Sequence, residues 1–155
     1  MDLEDLFKKN FINGDTLDLE NRRLGDDGAK VLAQMEQLSQ VVKLELGDNE
    51  IGDEGVAALA DSPHISNVKV LNLKSNKITA EGAKHIACSG HVSNLEQLVM
   101  KFNQIGEEGA RHLAASENLT SLNTLDLFRN NLGPEGATAI KQASFFKNLN
   151  RVRLD

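Results

Sequence analysis

Apolar residues recur along this chain in columns. Leu17, Leu44, Leu71, Leu98, Leu125 and Val152 are separated by a constant 27 residues. Two places on stand Leu19, Leu46, Leu73, Met100, Leu127 and Leu154. This period-2 alternation predicts a short strand with its two apolar side chains facing inward. Further columns follow: Leu24, Ile51, Ile78, Ile105 and Leu132; then Leu32, Leu59, Ile86, Leu113 and Ile140; then Leu38, Ile65, Val92, Leu119 and Phe146; then Val41, Val68, Leu95, Leu122 and Leu149. Ala29, Val56, Ala83, Ala110 and Ala137 stand three residues before the Leu32 column, which lays one apolar stripe along a helix of about ten residues. Repetition at this period marks a solenoid, in which each unit buries its apolar face against its neighbours.

Three columns are not apolar. Asn49, Asn76, Asn103 and Asn130 occupy the corner after the strand, where an asparagine can hydrogen-bond backbone groups at the bend. Asp27, Glu54, Glu81, Glu108 and Glu135 fall in the first helical turn, where each complements the helix dipole by about 0.3–1 kcal/mol. Gly28, Gly55, Gly82, Gly109 and Gly136 cost helix propensity, so the column implies close approach of each helix to its neighbour. On that ground Gly28→Leu and Gly82→Leu are both expected to destabilise the fold. The first repeat departs from the pattern, with Arg22 at the asparagine position and Asn21 one place early.

The unit Leu44-x-Leu46-x-x-Asn49-x-Ile51-Gly52-Asp53-Glu54-Gly55-Val56-Ala57-Ala58-Leu59-Ala60 resembles a leucine-rich repeat of the ribonuclease-inhibitor type. The resemblance covers about residues 15–155 and implies an α/β solenoid. In it, 27-residue repeats form a horseshoe arc with parallel strands on the concave face and helices on the convex face. The Gly-Ala-x-x-Leu-Ala wording also resembles bacterial repeat proteins injected into host cells, including a plant-pathogen family with a Gly-Ala-Leu-Ala signature. This implies a protein-binding role, with a host-directed bacterial protein as the setting.

The domain reading is an N-terminal capping segment over residues 1–14 and a leucine-rich repeat domain over 15–155, with five repeats and the strand of a sixth. Leu3, Leu6 and Phe7 have helical spacing, and Phe11 lies in register with the Leu38 column, as in a degenerate half-repeat. At the other end, Phe146, Leu149 and Leu154 are expected to lack a covering neighbour. Arg151, Arg153 and Asp155 would blunt the open strand edge. A fragment of a longer array, or an end that associates, would each account for this.

Composition narrows the partners. The chain has 155 residues, 40% of them apolar and 26% charged, with a formal net charge of -6. That charge argues against nucleic acid or an anionic membrane as the main ligand. No apolar run is long enough to span a bilayer, and the acidic start, Asp2-Leu3-Glu4-Asp5, is unlike a secretory signal. With the single cysteine, Cys88, this points to the cytoplasm, or to delivery into a host cytoplasm. Cys88 stands next to the apolar helix face and reads as a small core residue. His85 and His112 share a solvent-facing helix column, and His64 and His91 share a loop column, so neither pair is expected to hold a ligand. The recurring acidic pairs sit at helix starts, where capping explains them. No phosphate loop, Cys-x-x-Cys, His-Glu-x-x-His or Gly-x-Ser-x-Gly pattern occurs. The expectation is a non-enzyme without cofactor or metal.

Six strands about 4.8 Å apart make a face roughly 24 Å long, which suits a protein surface or peptide. The positions between the inward leucines form that face. Asp18, Glu20, Glu45 and Asp48, with Lys43, lie at one end, and Arg129, Arg151 and Arg153 at the other. The candidate partner-binding residues are Val70, Lys74, Val99, Lys101, Phe102, Asp126, Phe128 and Arg129. Large apolar groups with a charged rim are where interface energy concentrates. The competing reading has Phe102 and Phe128 packing on their neighbours to cover the sheet. The expected function is binding of a protein partner on the concave face by a monomer. The alternatives are a structural or self-assembling scaffold that associates through the C-terminal end, or a fragment of a longer regulatory protein such as a GTPase regulator.

Overall fold

In the computed structural model, which describes residues 2–155, the expected repeat is present in each unit. Parallel strands β2 (Thr16–Asp18), β3 (Lys43–Glu45), β4 (Val70–Asn72), β5 (Gln97–Val99), β6 (Thr124–Asp126) and β7 (Arg151–Arg153) pair in chain order. Their register sets Leu17, Leu44, Leu71, Leu98, Leu125 and Val152 side by side. Helix α1 (Leu3–Asn10) precedes the strands, and α2 (Gly25–Gln34), α3 (Asp53–Asp61), α4 (Ala80–Cys88), α5 (Gly106–Ala114) and α6 (Gly133–Lys141) alternate with them. Each of α2 to α5 packs on the next helix. Strands stack about 4.8 Å apart and helices about 8–10 Å apart, so the helix side is the longer and the stack arcs with its strands inside. Between strand layer and helix layer runs one continuous core of the apolar columns.

Asparagines hold the corners. Asn76 Oδ1 accepts from the backbone N–H of Asn49 (3.1 Å) and of Ile51 (3.0 Å) in the preceding repeat. Its Nδ2 donates to the carbonyls of Leu46 (3.0 Å) and Leu73 (3.1 Å). Asn49, Asn103 and Asn130 repeat the pattern, all buried. Asn49 serves the first repeat, so Arg22 is released from the role and its Nη2 donates to Asn10 on α1 at 3.0 Å. At the last corner the Asp155 carboxylate accepts from the N–H of Asn130 (3.0 Å) and Leu132 (3.2 Å). A buried polar group left without a partner costs about 1–3 kcal/mol. Asn76→Ala orphans donors and acceptors together, and is expected to lower the unfolding free energy by about 3–5 kcal/mol in urea titration.

The glycine column does bring helices together, at four of its five members. A Cβ at Gly82 would lie 2.6 Å from Asp53 Oδ1 and 2.6 Å from Ile78 Cγ2. At Gly55 it would meet Asp26 and Ala29, at Gly109 Ile105 and the Ala80 backbone, and at Gly136 the Glu107 backbone. Gly28 differs: only Leu24 of its own repeat is near, at 2.9 Å, because no repeat helix of this kind precedes it. Gly82→Ala should therefore lower the melting temperature by several degrees, since overpacking costs about 1–3 kcal/mol. Gly28→Ala should lower it less than Gly82→Ala does, because no neighbouring repeat is displaced and the roughly 1 kcal/mol gain in helix propensity opposes the shift forced on Leu24 Cβ, 2.9 Å away.

Three readings of the sequence need correction. Phe11 does not follow the Leu38 column. It lies in β1 (Phe11–Ile12), which pairs antiparallel with β2 and sets Phe11 opposite Leu17. Asn13 (φ 57°) and Gly14 (φ 76°) make the tight turn, and both left-handed dihedrals are those of a hairpin. In α1, capped by Asp2 and acidic in its first turn, Leu3 and Phe7 are buried. Cys88 is exposed rather than in the core. It ends α4 just past Ile86 and Ala87, in a column whose other members include Gln34, Asp61 and Gln142. The expected lack of cover at the C-terminal end is also corrected: Phe146 is buried and Leu149 and Leu154 are partly covered, while Val152 is 41% exposed.

Candidate functional site

On β2 to β7 the residues flanking the inward leucines face away from the core, and side chains from successive strands meet there. At the early end the charges are largely paired. Lys74 Nζ reaches Glu20 Oε1, two repeats away, at 3.2 Å. Its path crosses Gly47, where a Cβ would lie 2.8 Å from Lys74 Cε. The hydrogen bond to Glu20 holds the Lys74 ammonium above the ordinary lysine range. Lys43 pairs with Glu45 at 3.2 Å, and Asn72 Nδ2 donates to Glu45 Oε2 at 2.7 Å. Asp18 and Asp48 stay exposed.

Aromatic groups dominate the later end. Phe102 and Phe128 meet edge to face with ring centroids 6.0 Å apart. Three cations lie over these rings: Lys101 over Phe102 at 6.0 Å, and Arg129 and Arg153 over Phe128 at 5.3 and 4.7 Å. Val70 on β4 and Val99 on β5 are half-buried on the same face. Phe128 is half-covered, but Phe102 keeps 47% of its surface exposed.

Phe102 is also held in an unusual backbone conformation. Asn21, Asp48, Ser75, Phe102 and Arg129 share a column, and all have φ between 54° and 59°. Asparagine and aspartate tolerate this left-handed region, while a bulky residue there costs about 1–2 kcal/mol. The repeat enforces it, because the Phe102 N–H donates to the Phe128 carbonyl at 2.9 Å.

The structure therefore brings Lys101, Phe102, Phe128 and Arg129 into one cluster, whereas the register sets Val70 beside Gln97, several residues back along the strands from it. Lys74 faces the acidic end instead. Asp126 does not contribute an open carboxylate: it is buried, accepts the Phe128 N–H at 3.1 Å, and lies 3.7 Å from Arg153. Spacing sets Arg153 on the face, but its stacking on Phe128 and its cover over Asp126 are visible only in three dimensions. Among the described residues no group of His, Cys, Asp and Glu is arranged to hold a metal ion.

The cost of the Phe102 backbone separates a packing role from a binding role. Truncating a core phenylalanine costs about 3–5 kcal/mol. Phe102→Asn should cost less than about 1 kcal/mol in urea unfolding, because relief at the left-handed position offsets the lost aromatic contact. A loss of core size would make Phe102 a packing residue.

The family model for the leucine-rich repeat matches residues 39–60, 64–87, 91–114 and 118–141. Among solved structures, the chain is similar to an internalin from Listeria monocytogenes strain 4b F2365, at 20% identity and a TM-score of 0.46. That similarity covers 77% of this chain and 36% of the internalin, so the chain spans well under half of the internalin's length. No curated protein sequence matches it. With four matched repeats over more than half its length, the chain belongs to the leucine-rich repeat family.

Proposed function

We propose that this chain is a protein-interaction module that holds a partner against its strand face. Leucine-rich repeats generally mediate protein–protein interaction, which supports the class of activity. The observation that carries the site is Phe102, 47% exposed and edge to face with Phe128. Lys101 and Arg129 rim it, with Lys74 farther off, and the half-buried Val99 and Val70 add apolar surface elsewhere on the same strand face. Interfaces concentrate their energy in such aromatic clusters with a polar rim.

The 27-residue period and a helix of nine or ten residues in every repeat support the ribonuclease-inhibitor subtype. Gly28-Ala29-x-x-Leu32-Ala33 and Gly109-Ala110-x-x-Leu113-Ala114 support, as the setting, the host-directed bacterial repeat proteins that share this wording. Burial of Leu3 and Phe7 supports residues 1–14 as a cap.

The test is affinity capture with wild type beside the Val99→Glu/Phe128→Glu double variant, with circular dichroism confirming that both are folded. A partner retained by wild type and lost by the variant is the expected outcome. Equal recovery by both would move the site to the helix side.

A further inference from the structure

Charge on the strand face is unevenly quenched. At the early strands Glu20 and Glu45 have lysine partners. At the later strands Arg153 has Asp126, but Lys101, Arg129 and Arg151 make no ion pair among the described residues. The large apolar groups lie at this same end, so the surface that offers most contact energy is also the surface with uncompensated positive charge. Two guanidinium groups stand over Phe128. A guanidinium stacked on a ring keeps its in-plane donors available, and their fork geometry matches a carboxylate.

Building on the proposal that this face holds a protein partner, we infer that the segment seated across β5 to β7 is anionic, with carboxylates flanking a large apolar side chain. The apolar side chain packs against Phe102 and Phe128. The carboxylates accept hydrogen bonds from Arg129, Arg151 and Lys101. A cationic segment would meet three unpaired positive charges there, while Asp126 is buried beneath Arg153 and the Asp155 carboxylate is engaged by the Asn130 and Leu132 N–H groups. The molecule as a whole carries a formal charge of -6, so net charge alone would select a cationic partner. Local and global electrostatics thus give opposite answers, which makes the inference easy to test.

The full chain, labelled with nitrogen-15, would be titrated with three capped peptides. They share two phenylalanines and a leucine and differ only in flanking residues: glutamate, glutamine or lysine. The glutamate peptide should shift the amides of Phe102, Phe128, Arg129 and Arg151, with an affinity about fivefold or more above that of the glutamine peptide. The exposed Arg129→Glu/Arg151→Glu double variant should reverse the preference toward lysine. Spectral dispersion reports whether the variant folds, and the three-peptide comparison on wild type stands without it. Binding of the glutamine or lysine peptide at these amides as tightly as the glutamate peptide would overturn the anionic inference and leave the strand-face reading intact. Glutamate-peptide shifts confined to the helix side would overturn both. No shift from any peptide would overturn the inference alone, the face then being judged by the capture experiment.

Discussion

A buried asparagine side chain at each corner is the interaction on which the rest of this fold depends. When the chain leaves a strand, its next peptide groups turn into the core, where the sheet ladder can no longer satisfy them. One carboxamide solves this for two repeats at once. Asn76 accepts from Asn49 and Ile51 of the preceding repeat and donates to a carbonyl on each side of the boundary. No other side chain offers an acceptor and two donors in so short a reach. Because the bonds cross between repeats, they also fix register, and the leucine columns align as a consequence. A second ladder works at the other helix end: Ser62, Ser89 and Ser116 donate to the carbonyls of Ala33, Ala60 and Ala87.

The helix starts show how one constraint can be met in two ways. Asp26 accepts from the N–H groups of Gly52 and Gly55, and Asp53 from those of Thr79 and Gly82, each capping the helix of the next repeat. The corresponding positions after these are Ala80 and Glu107, which make no such bond. There the chain enters the helix through a left-handed glycine instead, Gly106 (φ 69°) and Gly133 (φ 68°). Gly52 and Thr79, with an aspartate to bind, are extended. The acidic residues that count are thus one place earlier than the column read as dipole partners, and they serve the neighbouring helix more than their own.

Much of this was legible because a solenoid repeats its physics. The strand leucines, the corner asparagines and the close-packed glycines each recur in a column, and a column carries its own control: Gly28 stands apart because it lacks a preceding neighbour. What the sequence reading misjudged lay where residues were read singly or outside the repeat. The Asn13-Gly14 pair is a strong hairpin signal, and it overrides the register that spacing gives Phe11. Standing next to the apolar stripe does not bury Cys88, whose column also holds Gln34, Asp61 and Gln142. The left-handed backbone of Phe102 had a signal too, in Asn21, Asp48 and Ser75 above it. The cover that Arg153 gives Asp126 had none, since no spacing rule reports which way an arginine folds over a face.

These constraints also explain why the strand face is free to vary. The side chains that build the ladders point into the core or along a corner, and the face positions join the asparagine ladder only through backbone carbonyls, as Lys74 does with Asn76. Substitution there is limited only by neighbours across about 4.8 Å. Within that freedom, the early strands spend their charges on one another, with Lys74 crossing Gly47 to reach Glu20. At the later strands a phenylalanine occupies a backbone position suited to asparagine, and it remains 47% exposed. Fold stability gains little from such a residue and loses little when it is replaced. A strained, exposed aromatic on a face otherwise free to vary supports the proposed partner site, and the cations around it without an ion pair support the anionic segment proposed for it.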